Sequence, residues 1–317
     1  MPKVYIIILN YKIWQDVIEC LESVFRLQYD NYTVIVIDND SKNASIEHLI
    51  AWTEKDSDVS KFPFSKGVLQ KPIVYAHFHN KDIDASINPV SFPRLVFIQN
   101  EKNVGFAAGN NIALRLIIQQ DAYVWLLNPD MVVQENTLSE LIDCVSSKHD
   151  KVIAGAVLKS YAEPDKVLLY GGGRINFNAG TVDIIDQISD IPSLNYISGG
   201  AMLTHTAHLR DIGLLPERYF LYWEETDWCY RAQQKKYELH VCLSAICYDK
   251  ISTTVGKSFL ADFYYTRNGL LFINTFRKSN IRIALFFAFL RLGKRAILGK
   301  WDRARGVYKG ILAFLKT

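Results

Sequence analysis

Cysteine is scarce and poorly spaced for metal: the chain holds five, Cys20, Cys144, Cys229, Cys242 and Cys247. The closest pair, Cys242 and Cys247, has no second pair to complete a tetrahedral zinc site, which argues against a structural zinc protein. An odd count and no secretory signal suit reduced thiols in the cytosol, where buried free cysteine acts as a small hydrophobe. Long apolar runs are missing from the basic C-terminal end as well. Its longest, Ile283 to Leu290, spans eight residues, far short of the roughly 20 that cross a bilayer. Internal repeats and low-complexity segments are also lacking. With 49% hydrophobic residues over 317 positions, a globular protein of one large domain or two is expected, and disorder is not.

Acidic residues are nearly absent from one end. Residues 277–317 carry eleven Lys or Arg against the single acid Asp302, so this segment is +10 in a chain whose net charge is +3. The rest is therefore −7. A basic end thus follows an acidic body, an asymmetry that bears on partners.

What is present is a βα rhythm. "KVYIIILN" is a continuous apolar run, as expected of a strand buried on both faces, and a helical stretch, Trp14 to Leu27, follows it. "YTVIVIDND", "RLVFIQN", "AYVWLLNPD" and "VIAGAVL" repeat the strand pattern, with helices expected between them. This alternation predicts an α/β fold with a parallel, doubly wound sheet, and ligands in such sheets bind beyond the carboxyl ends of the strands. Residues 56–94 break the rhythm with Pro63, Pro72 and Pro89 and one short apolar piece, "PIVYAHF"; they are expected to form an insertion or flap, since structureless loops beyond roughly 12–15 residues are uncommon. After residue 155 come short strands, glycine-rich turns and an acidic helix start, and the last sixty residues look helical.

Three polar clusters can carry chemistry. Asp38-Asn39-Asp40-Ser41 ends the second strand: its carboxylate and amide can accept from a pyrimidine N3–H, or the run is a polar turn capping the next helix. Asn128-Pro129-Asp130 ends the fourth: Asp130 can bind a hard divalent cation bridging a diphosphate, or the run is an ordinary turn. Glu224-Glu225-Thr226-Asp227 follows four aromatics: it can supply a general base, or it stabilises a helix N-terminus through the dipole.

In this order the clusters resemble glycosyltransferase family 2, which has the GT-A fold, and within it the branch of bacterial rhamnosyltransferases. The matching pieces are "IIILNYK" (6–12), "VIDNDS" (36–41), "NEKNVGFAAGNNIAL" (100–114), "WLLNPDMVV" (125–133), "ISGGAMLTH" (197–205), "YFLYWEETDWCYRAQQKKYEL" (219–239) and "YYTRNGLLF" (264–272). The resemblance implies a GT-A catalytic domain over 1–255, with a nucleotide-binding half 1–130 and an acceptor half 131–255, and basic amphipathic helices over 256–317. It places Asn10, Tyr11, Asp38, Asn39 and Asp40 in a nucleoside pocket, and Asn103, Gly105, Gly109, Asn110, Asn128, Gly199 and Gly200 along the nucleotide and donor sugar. Asp130 becomes the main ligand of Mn²⁺ or Mg²⁺. Glu225 becomes the catalytic base, with Glu224 and Asp227 positioning the acceptor or the helix. Where the branch usually has a histidine as second metal ligand, this chain has Asp249, which can serve or can mark a weakened site. Lys250, Ser252, Thr253, Lys257 and Arg267 are candidates to contact the diphosphate.

The activity so implied is inverting transfer of a sugar from a nucleoside diphosphate to a glycan or lipid-linked acceptor in bacterial surface polysaccharide synthesis. dTDP-L-rhamnose is the leading donor, with a UDP-hexose or UDP-galactofuranose second. A nucleotidyltransferase is disfavoured because no glycine- and arginine-rich loop follows the first strand. A non-catalytic sugar-nucleotide-binding subunit stays open. The basic end, with Arg291, Lys294, Arg295, Lys300 and Trp301 among apolar residues, fits helices lying on the inner face of an anionic membrane, against packing on the body or a homo-oligomer contact. No nucleic-acid motif accompanies the charge.

Overall fold

The computed structural model describes residues 1–54, 69–83, 87–250 and 258–317. The central sheet is built on β1 (Val4–Asn10), β2 (Tyr32–Asp38), β4 (Leu95–Gln99) and β5 (Tyr123–Leu127), all parallel. Alternate side chains of β1 enter opposite layers, as the pleat requires. Val4, Ile6 and Ile8 pack with α1 (Trp14–Val24), α2 (Ser45–Glu54) and α4 (Thr137–Ser146). Tyr5 and Ile7 pack with α3 (Gly105–Ile117) and with Trp228 of α6 (Glu224–Gln234). Burial on both faces explains why these strands read as unbroken apolar runs.

The piece "PIVYAHF" does more than fill an insertion. It contributes β3 (Tyr75–His79), which pairs in parallel with β4 at the sheet edge. Of the rest of the expected flap, residues 56–68 and 84–86 lie outside the described residues, and Asn80–Asp82 and Pro89–Ser91 form short 3-10 turns.

Beyond β5 the sheet turns mixed. It takes in β6 (Met131–Val133), β7 (Val152–Ser160), β12 (Ala201–His205) and β13 (Glu238–Asp249), in the order β3-β4-β2-β1-β5-β12-β7-β13-β6, with β8 (Val167–Tyr170) on β7. Strand β12 runs antiparallel between β5 and β7, and β6 runs antiparallel to β13. A small sheet of β9 (Gly172–Asn176), β10 (Thr181–Ile184) and β11 (Tyr196–Ile197) lies apart. At the C-terminal end, α7 (Phe259–Phe276), α8 (Ile281–Ile297) and α9 (Trp301–Leu315) share a core with Tyr219 and Trp223, just ahead of α6. The architecture is therefore a GT-A-type, mostly parallel sheet flanked by helices with a helical C-terminal extension.

The expectation of reduced thiols is corrected for two residues. Cys144 in α4 and Cys242 in β13 form a disulfide across 98 positions of sequence, with Cα atoms 6.1 Å apart. Sequence spacing carries no trace of this pair, because only the packing of α4 on β13 brings it together. Cys20, Cys229 and Cys247 are free and buried.

The far end of β12 is fixed by a neutral histidine. His208, in α5 (Thr206–Ile212), is buried, with Nε2 2.6 Å from the Asp150 carbonyl, which only an N–H can satisfy. Its Nδ1 must then accept, and the His205 backbone N–H points to it at 3.3 Å. Protonation would put a second donor against that N–H. Burial above all pushes the imidazole down to about 4. A base whose folded pKa lies below its unfolded value stabilises fully above about pH 6.5 and loses that contribution as pH falls toward 4. Chemical denaturation should show a decline of up to about 3 kcal/mol across that window, and His208→Gln should flatten it; an unchanged slope in the variant would remove His208 as its source.

Candidate active site

The strand order reverses at β1: β2 and β4 lie to one side, β5 to the other. A crevice opens at such a point beyond the carboxyl ends of the strands. Asn10 and Asp38 end paired strands in register, and Gln99 ends the next.

Asp38 is saturated. Its Oδ1 accepts from Asn10 Nδ2 at 2.7 Å and from the Ser41 hydroxyl, and its Oδ2 from the Ser41 N–H and Gln99 Nε2, each at 3.0 Å. A carboxylate offers about four lone-pair sites, so all are taken. Asn39 is equally committed. Its amide donates to Asn103 Oδ1 at 2.9 Å and Gly105 O at 3.2 Å, and its oxygen accepts from Asn100 Nδ2 and the Val104 N–H, each at 3.2 Å. In this structure both side chains lock three strand ends and the start of α3. Gln99, Asn100 and Ser41 complete this network, and no sequence motif marks Gln99 as a member. The adjoining depression, about 360 Å³, is lined by Asp38, Asp40, Lys42, Gln99, Asn100 and Glu101 among others. Asp40 pairs there with Lys42 at 2.7 Å, and Tyr11 lies half-buried beneath the Lys12 ammonium, 5.0 Å from its ring centre.

Gly105 joins this half of the site to the other. Its φ is +85°, and a Cβ would stand 2.2 Å from the Phe220 carbonyl oxygen, to which the Phe106 N–H donates at 2.8 Å. Gly109 lets α3 close on Leu9, and a Cβ there would stand 3.4 Å from Asn39 Nδ2; Asn110 is buried with its amide on the Phe106 carbonyl at 2.9 Å.

Antiparallel β12 carries its N-terminal turn, Ser198-Gly199-Gly200, to the end of β5. The Asn128 N–H donates to Gly200 O at 2.9 Å. A Cβ on Gly199 would meet the Phe106 ring at 3.2 Å and Glu225 Cβ at 3.8 Å. The backbone N–H groups of Glu225, Thr226 and Gly199 favour the ionised form of the Glu225 carboxyl. Burial still holds this carboxyl above the usual carboxylate range, and its Oε2 has no hydrogen-bond partner. Glu224 is similar but deeper: burial, then the charge of Glu225, pushes it well up, and its Oε2 is also unpartnered. Asp227 differs from both. Fully buried, it accepts from Arg218, from Tyr219 Oη at 3.0 Å and from Arg231 Nε at 2.8 Å. These bonds tie the loop ahead of α6 to the helix around a fully buried carboxylate.

The loop ahead of α6 is strained. Tyr222 and Trp223 have φ of +65° and +79°, a left-handed conformation that is rare for bulky residues and clusters at functional sites. Helix α7 holds it there. Asn268 Nδ2 donates to the carbonyls of Leu221 at 2.8 Å and Tyr222 at 3.1 Å. Sequence reasoning misses Asn268 and this clamp, although a lone Asn in the apolar run "NGLLF" is the available signal. Arg267 Nη1 donates to Arg218 O at 3.3 Å and to Asn268 Oδ1 at 2.8 Å.

Asp130 and Asp249 meet through strand pairing. Asp249 is in register with Met131, and the Lys250 N–H lies 3.3 Å from Asp130 O. Burial first, then the charge of Asp249, pushes Asp130 up to about 6. Such a pair concentrates negative charge, and a hard divalent cation is the group that two facing carboxylates suit. Among the described residues no group of three or more His, Cys, Asp or Glu is arranged to hold a metal ion by itself. The pair would therefore leave coordination positions open for ligand oxygens. Lys250 is not free for a diphosphate: it is bound by Asp16 at 2.6 Å and by Glu19. Ser252, Thr253 and Lys257 lie outside the described residues.

The model of the Glycosyl transferase family 2 family matches residues 4–70. The Low-salt glycan biosynthesis hexosyltransferase Agl10 of Haloferax volcanii is 25% identical over 193 residues, or 59% of this chain. The match spans 63% of that relative, less than two thirds of its length. The mannosyltransferase PcManGT from Pyrobaculum calidifontis, solved with GDP-Man and Mn²⁺, aligns over 99% of this chain and 87% of its own, at 12% identity and TM-score 0.55. GalNAc-T7 with UDP, GalNAc and Mn²⁺ aligns over 85% of this chain and 51% of its own, at 12% identity and TM-score 0.53. S. aureus TarS 1–349 aligns over 90% and 72%, at 15% identity and TM-score 0.50. The chain thus has the GT-A fold of the glycosyltransferases, and residues 4–70 carry the signature of Glycosyl transferase family 2.

Proposed function

We propose that this protein is an inverting glycosyltransferase that moves a hexosyl group from a nucleoside diphosphate to a glycan hydroxyl, including one carried on a lipid. The observation that supports it most is the buried, unpartnered Oε2 of Glu225 beside the Gly199 turn, at the same end of the sheet as Asp130. A buried acceptor atom without a donor costs about 1–3 kcal/mol, and an incoming hydroxyl removes that cost.

In this mechanism Glu225 Oε2 takes the proton as the acceptor oxygen bonds to the anomeric carbon. The bond from that carbon to the diphosphate oxygen breaks on the opposite face, inverting configuration. The raised pKa makes Glu225 a stronger base than a solvated carboxylate. Glu224 lies deeper, where the charge of Glu225 raises it further. Asp130 and Asp249 would hold Mn²⁺ or Mg²⁺, which supplies charge neutralisation on the departing diphosphate. A pyrimidine N3–H would reach an acceptor by taking the place of Gln99 on Asp38 Oδ2. The donor in this proposal is dTDP-L-rhamnose, on the resemblance of the ordered motifs. A UDP-hexose is the second reading, supported by the UDP bound in the GalNAc-T7 neighbour. Bacterial surface polysaccharide synthesis is the setting this donor would serve.

Turnover, read as released nucleoside diphosphate across a panel of dTDP and UDP sugars, should fall by about 10²–10⁴-fold in Glu225→Gln while nucleotide binding persists. Glu224→Gln should cost less. A Glu225→Gln protein that turns over at the native rate overturns the assignment, and a native chain that only binds the donor points to a non-catalytic subunit.

Chelation should abolish turnover, and Mn²⁺ or Mg²⁺ should restore it. Asp130→Asn and Asp249→Asn should each raise the cation concentration needed for half-maximal rate by roughly tenfold or more. A native enzyme indifferent to chelator would remove the metal from the mechanism.

A further inference from the structure

Helix α8 is apolar on a side that stands exposed among the described residues. On its inward side Ala284 and Ala288 are fully buried, with Ala284 Cβ against Gly180 of the β9–β10 turn, and Ile281, Leu285 and Leu292 pack on the same core. Its outward stripe is large. Phe286 is 60% exposed, Leu290 51% and Ile297 88%, and Trp301 at the start of α9 is 70% exposed. A helix that only packs on a body puts polar residues on its outer face. Here Ile283, Phe286, Leu290 and Ile297 lie on the outward side, spaced three, four and seven residues apart, as one face of a helix requires.

This face cannot turn inward, because α8 and α9 are bolted to α7. Arg295 and Arg303 both pair with Asp262. Gly306 and Gly310 of α9 press against the Phe259 and Phe263 carbonyls so closely that a Cβ would stand 2.4 and 2.7 Å from those oxygens. Arg291 lies over the Tyr265 ring, 5.4 Å from its centre. The stripe is therefore a fixed surface feature.

Charge selects the occupant. Arg282, Lys294 and Lys300 are exposed around the stripe, in a segment with eleven basic residues and one acid. Two copies meeting through this face would oppose two such segments, which repels. No helix among the described residues is long and apolar enough to cross a membrane. Apolar and aromatic side chains on one face, with basic residues at its rim, fit a helix lying in the headgroup boundary of an anionic bilayer. We propose that the outward face of α8, with Trp301, docks the protein side-on to an anionic lipid surface. The surface stands whether or not the chain transfers sugar.

Sedimentation of the full chain with vesicles tests this. It should bind phosphatidylcholine vesicles containing phosphatidylglycerol, bind pure phosphatidylcholine weakly, and release as salt is raised. The double variant Phe286→Ser, Leu290→Ser should lose affinity for the anionic vesicles by roughly tenfold or more, with Tm and donor turnover in vesicle-free buffer unchanged. Lys294→Glu with Lys300→Glu should reduce binding to the anionic vesicles alone. Failure to bind them at low salt, or equal binding by the apolar variant, overturns the proposal. So does a native dimer by light scattering that the apolar variant converts to monomer, which would assign the face to self-association.

Discussion

Everything in the site hangs on the antiparallel course of β12 beside β5. Had that strand run parallel, its first residues would lie at the opposite edge of the sheet. As it stands, Gly200 O receives the Asn128 N–H and the Gly199 N–H favours the ionised form of the Glu225 carboxyl. Side chains are excluded at this crossing. The Phe106 ring and Glu225 already close on Gly199, and Met131 and Asn128 close on Gly200. Through one turn, a residue after the fourth expected strand and one at the start of α6 come to the same end of the sheet.

The electrostatic consequence is a site built around negative charge. Asp130, Asp249, Asp16 and Glu19 come from three different segments, and Lys250 is the basic side chain that reaches Asp16 and Glu19 directly. The same lysine only partly offsets the charge felt by Asp130, whose burial dominates. Burial raises the carboxyls of both Asp130 and Glu225 above the usual carboxylate range; under the proposed function this would serve cation binding at the first and proton uptake at the second.

The parallel half of the fold was legible because its strands are buried on both faces, and an unbroken apolar run such as "VYIIIL" fits little besides a central strand. The ends of those strands were legible as positions, not as roles. Asp38 stands where polar ligand groups are expected, yet the chain does not reveal that Asn10, Ser41 and Gln99, up to 61 residues away, spend its lone pairs. Asp227 misleads in the same manner: an acid at a helix start suggests solvent or substrate, while two arginines and a tyrosine enclose it. Contacts between distant segments, such as Cys144 with Cys242 or β3 with β4, leave no local pattern to read. Residue type announces what a side chain can do, and only packing shows what it is already doing.

Helix α7 connects the two surfaces that matter. On one side Asn268 holds the Leu221 and Tyr222 carbonyls, and Gly269 lets Trp223 lie so close that a Cβ would meet its indole at 2.9 Å. Those contacts sustain two left-handed aromatic residues directly before Glu224, a conformation costing on the order of 1–3 kcal/mol per residue and requiring rigid support. On its other side α7 carries Asp262, which fixes α8 and α9. One helix thus sets the loop that leads into Glu225 and the apolar stripe in a constant relation. If both proposals hold, that relation would fix the height of Glu225 above a lipid surface carrying the acceptor, and positioning of that kind is what a transfer step requires.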